Sequence, residues 1–250
     1  MEKVITVREV KNPIISVVIP TLNEEKYIEN TILSLKWQNF NFPYEIIISD
    51  SNSKDKTVEI AKKYVNKIVI TTEKGIAKGR NIGAKYAKGK YLVFLDADTI
   101  LLPNALKELY KEIRKKNVSL VSLPVLPSTF DVTFILYYMF YDVFSKTTLK
   151  LKNPQVAGMI MCCKKDDFFK VGGFEENNIV VEDYEFSKKM KKVGKVRIVD
   201  SSLALTSPRR LRKWGKFRGA LKYLFLYLAY LFGSTRIANE LGKRIYLPIR

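Results

Sequence analysis

The sequence predicts an α/β fold: a mostly parallel sheet sandwiched by helices, followed by a basic, aromatic helical extension. Three observations carry this. Short β-rich runs alternate with amphipathic stretches as far as Leu123. Those runs are apolar throughout rather than alternating, as strands covered on both faces are. The 250 residues are 47% hydrophobic and 28% charged, which supports a sizeable core and excludes global disorder.

Ile15–Pro20 (ISVVIP) reads as the first buried strand, and Asn23 is placed to cap a helix with Ile28, Ile32 and Leu35 on one face. Glu45–Ser49 is the next strand, and Ser53 or Asp55 can start a helix through Val58, Ala61 and Val65. A strand at Lys67–Thr71 precedes a helix at Ala77–Ala87 that ends before Gly89. Tyr91–Leu95 (YLVFL) is a fourth, fully buried strand. Pro103 suits the start of a helix over Asn104–Lys116, and Ser119–Leu123 follows as a strand. Past Pro127 come a densely aromatic segment (Phe130–Phe144), a strand at Val156–Cys163, a helix at Glu182–Val193 and a strand at Val196–Asp200. Residues 1–206 are expected to form one domain and 207–250 the extension.

Composition removes several chemistries. There is no histidine, so His-ligated metal sites, Ser-His or Cys-His nucleophiles and a histidine base are all excluded. Proton transfer must fall to carboxylates, Lys, Tyr or Cys. The only cysteines, Cys162 and Cys163, are adjacent; in a strand they point to opposite faces, so no disulfide framework is expected, as in a reducing compartment. No signal peptide and no run long enough to span a membrane are read from the sequence. With 44 Lys and Arg against 25 Asp and Glu, the net charge is +19, which points to an anionic partner.

The chemistry-bearing residues follow strand ends. Asp96-Ala97-Asp98 continues directly from Tyr91–Leu95, and the carboxyl end of a parallel strand opens into the ligand crevice. Two carboxylates there can converge on a hard divalent cation, or form a solvated acidic turn. Asp50 ends another strand in the same way, and Pro20-Thr21-Leu22-Asn23-Glu24-Glu25 repeats the geometry after the first. Gly75–Gly83 (GIAKGRNIG) is a basic turn entering a helix, suited to a phosphate. Glu182-Asp183 opens a helix after Gly172-Gly173-Phe174 and supplies either a general base or ordinary helix-start acids.

In combination, VVIPTLNEE (Val17–Glu25), SDSNSKD (Ser49–Asp55), the Gly75–Asp98 run, GGFEE (Gly172–Glu176) and VEDYEFSKKMKKVG (Val181–Gly194) resemble the family 2 glycosyltransferases. These are inverting nucleotide-sugar enzymes of the GT-A fold. The resemblance implies that Pro20, Thr21, Glu24, Asp50, Arg80 and Asp96 bind the nucleotide-sugar, a UDP- or GDP-sugar. It implies that Asp98, with Asp96, holds a divalent cation, Mn²⁺ or Mg²⁺. Asp183 would deprotonate the acceptor with Glu182 beside it, and Gly173 and Phe174 would border the sugar and acceptor pocket. Three departures stand out. Asp50-Ser51-Asn52-Ser53 replaces a common Asp-Asp-Gly-Ser, the later metal-binding histidine of some relatives is absent, and the Gln/Arg/Trp signature is only echoed by Arg209–Trp214.

From Arg209 onward eleven Lys and Arg face one acid, Glu240, and the basic run leads into Ala220–Phe232 (ALKYLFLYLAYLF). A cationic stretch with Trp, Tyr and Leu suits a helix lying on an anionic membrane surface, or a terminal helix packed on the core. Arg209, Arg210, Arg212 and Trp214 are expected to meet an acceptor phosphate or the membrane. The expected activity is therefore sugar transfer to a lipid phosphate or lipid-linked saccharide, in the cytoplasm at the inner face of the cell membrane. A soluble or polymeric saccharide is the alternative acceptor. A non-catalytic nucleic-acid-binding protein is the rival from another class, set against acids recurring where a polyanion would pass.

Overall fold

Ile15, Val17 and Ile19 face one side of the first long strand and Val18 the other, and all four are fully buried. That two-sided burial explains the unbroken apolar run. The computed structural model describes residues 2–178, 180–233 and 235–245; the last five residues of the predicted extension lie outside them.

The first half runs β1 (Lys3–Thr6), β2 (Ile15–Thr21), α1 (Ile28–Lys36), β3 (Tyr44–Asp50), α2 (Thr57–Lys62), β4 (Lys67–Ile70), α3 (Ile76–Lys85) and β5 (Tyr91–Leu95). Then follow β6 (Thr99–Leu101), α4 (Ala105–Ile113), β7 (Val118–Ser122), β8 (Val125–Pro127) and the long α5 (Val132–Lys150). The remainder is β9 (Ile160–Lys164), α6 (Lys165–Lys170), α7 (Glu182–Lys191), β10 (Lys195–Ile198), β11 (Ala204–Thr206), α8 (Arg209–Trp214), α9 (Lys216–Gly233) and α10 (Thr235–Ile245).

An eight-stranded sheet has the order β1-β4-β3-β2-β5-β9-β7-β10. Strands β4, β3, β2 and β5 are mutually parallel; β9 lies antiparallel to both β5 and β7. One core packs α1, α2 and α4 on Ile15, Val17, Ile46 and Val93, and the other packs α3, α6 and α7 on Val18, Ile47 and Phe94. Cys162 joins the first core and Cys163 the second, both as free thiols.

A second sheet, β6-β11-β8, leaves little sequence signal because each strand has three residues. It matters here because β11 delivers the chain to Arg209 beside Asp98, whose carbonyl accepts from Ser207 N at 3.1 Å. Several local expectations are corrected. Asn23 does not cap α1; it sits at φ 56° and its Oδ1 accepts from Lys54 N at 2.8 Å, tying the loops after β2 and β3 together. The strand expected over Val156–Cys163 begins only at Ile160 and runs antiparallel, so residues 156–159 form a loop into the cavity edge. The aromatic segment is both core and surface: Phe134 and Tyr138 are buried, while Leu136, Met139, Phe140 and Val143 are exposed. Among the described residues no helix is long and apolar enough to cross a membrane.

Helix α3 crosses β2 so closely that a Cβ on Gly83 would sit 2.2 Å from Val18 Cγ1. Gly83→Ala is therefore expected to lower stability by about 1–3 kcal/mol in urea unfolding, overpacking outweighing the better helix preference of alanine.

Candidate active site

The carboxyl ends of β2, β3 and β5 share one edge of the sheet, which sets Thr21 opposite Asp50 in register and Asp96 just beyond β5. Asp50 is fully buried. Its Oδ1 accepts from Thr21 Oγ1 at 2.8 Å and Ser53 Oγ at 2.6 Å, and its Oδ2 from Ser53 N at 2.8 Å. Asp50 thus lies behind the cavity wall and holds Thr21 and the following turn in place, while Pro20, Thr21 and Glu24 line the cavity.

Arg80, only 1% exposed, organises the next group. Its Nη2 donates to Asp96 Oδ1 at 2.9 Å and to the Gly158 carbonyl at 2.8 Å, and its Nη1 to Glu182 Oε1 at 3.3 Å. The guanidinium lies 5.0 Å from the Phe174 ring, whose other neighbours are Phe94, Phe168 and Phe186. Burial alone would lower the Arg80 pKa, but Asp96 and Glu182 outweigh it and keep the charge. Gly158 must be small: a Cβ there would meet Asp183 Oδ2 at 2.9 Å and Arg80 Nη2 at 3.2 Å.

Asp183 occupies the first turn of α7, where Oδ2 accepts from Gly158 N at 3.0 Å and Oδ1 from Tyr184 N at 2.9 Å. Those donors favour the carboxylate, but burial, then the charge of Glu182, dominate and push the pKa up to about 8. Burial likewise raises Glu182.

Asp98 forms a third group. Arg209 Nε lies 2.9 Å from Asp98 Oδ2, while its Nη1 and Nη2 donate to Glu24 Oε2 at 2.6 Å and Oε1 at 2.8 Å. Burial raises Asp98 to about 6 even against the opposing pull of Arg209. The donors here are hard carboxylates with no imidazole or thiolate, and no group of three or more His, Cys, Asp or Glu forms a complete cage among the described residues. Such a partial set fits Mg²⁺ or Mn²⁺ arriving with diphosphate and water oxygens, rather than a metal held by protein alone.

These groups line a cavity of about 1320 Å³ that extends under α5, α9 and α10. Beyond the acids its wall is phenolic: Tyr137, Tyr138, Tyr141, Tyr184, Tyr223 and Tyr227. The Tyr184 and Tyr141 hydroxyls lie 3.4 Å apart, and Arg210 Nη1 donates to Tyr223 OH at 3.3 Å.

The structure brings together Thr21, Glu24, Arg80, Asp96, Asp98, Glu182, Asp183, Arg209 and Arg210 from the sequence-derived set. It does not bring Gly173 or Phe174 to the cavity; Phe174 is buried beneath Arg80, and Gly173 at φ 63° shapes the turn before it. Arg209 points inward to two carboxylates instead of outward to an anionic surface. Arg212 is exposed away from the cavity, and Trp214 packs 5.4 Å from Tyr223. Gly158 and the tyrosines carry no motif of their own in the sequence, although the aromatic density of Phe130–Phe144 covers three of them, Tyr137, Tyr138 and Tyr141.

The model of the family described as glycosyl transferase family 2 matches residues 16–165. Poly(ribitol-phosphate) β-N-acetylglucosaminyltransferase TarS of Staphylococcus aureus is 36% identical over 100 residues, 37% of this chain and 18% of TarS. An uncharacterised glycosyltransferase of Haemophilus influenzae is 27% identical over 183 residues, 70% of this chain and 61% of the relative. The chain thus spans less than two thirds of either. In structure, the mannosyltransferase PcManGT of Pyrobaculum calidifontis, solved with GDP-Man and Mn²⁺, superposes with a TM-score of 0.67 at 20% identity, covering 94% of this chain and 74% of that one. TarS solved with UDP gives 0.58 at 19% identity, covering 93% and 70%. Sheet order, crevice and motif order define a GT-A nucleotide-sugar fold. The chain belongs to glycosyl transferase family 2.

The raised Asp183 pKa fixes a sign for pH dependence. The folded chain keeps a proton up to about pH 8 that the unfolded chain, with an ordinary carboxyl at 3.8, releases much earlier. Stability from this group is full at low pH and is lost as pH rises between those values. Relative to Asp183→Asn, the wild type should therefore lose stability progressively from about pH 5 to pH 8, read by urea unfolding across that range.

Proposed function

We propose that the protein is an inverting, divalent-cation-dependent glycosyltransferase that moves a sugar from a nucleotide diphosphosugar to an acceptor held under α5 and α9. The observation that carries this reading is the convergence of Asp96, Asp98, Glu182 and Asp183 on one cavity around a buried Arg80. The donor nucleotide rests against Pro20, Thr21 and Glu24, with Asp50 positioning Thr21. Asp98 and Asp96 would hold a divalent cation, which would supply compensation for the negative charge of the leaving diphosphate.

Asp183 takes the acceptor proton. As the acceptor oxygen bonds to the anomeric carbon, the C–O bond to the diphosphate breaks and its electron pair leaves with the nucleotide. The hydroxyl proton passes to the ionised form of Asp183, whose share grows as pH rises toward about 8, and burial together with the charge of Glu182, itself fixed by Arg80, gives that form its basicity. Only one displacement occurs, so the anomeric configuration inverts. PcManGT, solved with GDP-Man and Mn²⁺, supports a nucleotide-sugar donor and a divalent cation for this fold.

A lipid-linked acceptor at the membrane surface is supported by two exposed apolar stripes of matching spacing. Val132, Leu136, Met139, Phe140 and Val143 form one on α5; Phe217, Leu221, Leu224, Phe225 and Leu228 form the other on α9. Phe140, Leu221 and Leu224 also line the cavity, so its mouth opens onto this face. Exposed Arg212 and Lys213 on α8 and Arg218 at the start of α9 suit anionic headgroups. The chain would then act peripherally at the inner face of the cell membrane. A polymeric saccharide acceptor is the second reading, favoured by the likeness to TarS and by phenolic walls able to stack on sugar rings. Nucleic acid is disfavoured, because seven carboxylates line the space a polyanion would enter.

Asp183→Asn is expected to leave nucleotide affinity near wild type and to cut kcat by about 10²–10⁴, measured as nucleotide release with acceptor present. Asp98→Ala should abolish cation-dependent transfer while the chain stays folded; wild-type turnover in both variants would sink the mechanism. The double change Leu221→Glu with Phe225→Glu should abolish sedimentation with anionic vesicles and transfer to a polyprenyl phosphate, without altering nucleotide affinity. Retention of both activities would instead favour the saccharide acceptor.

A further inference from the structure

Arg209 stands where the sequence places an outward-facing anion binder, yet three of its N–H groups are engaged by carboxylates of the donor side. The fork grips Glu24 at 2.6 and 2.8 Å, its Nε lies 2.9 Å from Asp98, and its face rests 4.6 Å from the Tyr27 ring. The side chains of Glu24 and Asp98 are only 6% and 12% exposed. Two anions so desolvated require a counter-charge. Arg209 supplies it from a segment fixed by β11, whose next residue, Ser207, donates to the Asp98 carbonyl.

A divalent cation held by Asp98 would compete with the Arg209 guanidinium for the same carboxylate. We propose that Arg209 is a resident counter-cation exchanged during donor loading. Before the donor arrives it neutralises Glu24 and Asp98; it yields Asp98 to the divalent cation and turns its fork to the donor diphosphate. The exchange conserves charge compensation at each stage. Its end state matches guanidinium geometry, since the planar fork pairs with phosphate oxygens as readily as with carboxylate. Arg209, 23% exposed at the cavity wall, has room for the move.

The inference rests on Asp98 being a cation ligand, and the two fail separately. Mn²⁺ binding to the full chain is measured alone, by titration with free Mn²⁺ read by electron paramagnetic resonance. Loss of binding in Asp98→Ala supports the ligand assignment, and unchanged binding removes it. Arg209→Gln is expected to bind Mn²⁺ about tenfold or more tightly than wild type, because the competitor is gone. UDP and GDP are then titrated with saturating Mn²⁺, and the nucleotide that wild type binds should bind Arg209→Gln about tenfold or more weakly. A purely structural arginine would not move these two affinities in opposite directions. Unchanged or weakened Mn²⁺ affinity in folded Arg209→Gln, or unchanged nucleotide affinity, overturns the exchange. If circular dichroism shows that Arg209→Gln does not fold, Arg209→Lys decides. Its point charge lacks the fork, so Mn²⁺ should tighten severalfold, and no tightening overturns the proposal.

Discussion

A single buried cation holds the site together. Arg80 joins the turn after β5, the loop before β9 and the start of α7 through Asp96, Gly158 and Glu182. These three segments are far apart in sequence and belong to different layers of the fold. Removing the guanidinium would leave two carboxylates uncompensated in a desolvated setting, which is among the costlier defects a core can carry. Its seat on Phe174 explains why an aromatic cluster of four phenylalanines lies below a polar site: the cluster is the floor that fixes the height of the cation.

Much of this was legible from residues alone, and the reasons differ by element. Buried parallel strands announce themselves as unbroken apolar runs, which is why β2, β3 and β5 are legible; of the acids at their ends, Asp96 and Asp98 reach the cavity as expected, whereas Asp50 lies behind its wall. Asp96 and Asp98 were legible because a strand end defines where a following side chain emerges. The reversal of β9 was not legible, since a continuous apolar strand looks the same in either direction. The three-residue strands of the small sheet fall below any periodic signal. The inward turn of Arg209 was missed for a related reason: composition records a basic segment but not which of its charges meets an acid across the chain.

The extension is as much wall as appendage. Helices α8 and α9 close the cavity with Arg209, Arg210, Tyr223 and Tyr227, while α5, whose Tyr137 and Phe144 rings pack against Tyr223 and Tyr227, contributes Tyr137, Tyr138 and Tyr141. Each of the two long helices therefore has one phenolic face toward the cavity and one apolar, hydroxyl-free stripe outward. A division drawn at residue 206 on composition cuts through the site itself, because Asp98 and Arg209 stand on either side of it.

Proteins usually obtain sensitivity around neutrality from imidazole. This chain has none, yet burial displaces Asp98 to about 6 and Asp183 to about 8. Solvent exclusion has converted two ordinary acids into groups that buffer across the physiological interval. The protonic responsiveness of these two groups is consequently a property of how deeply protein atoms cover them: substitutions that open that cover to solvent would return both carboxyls toward acidic values.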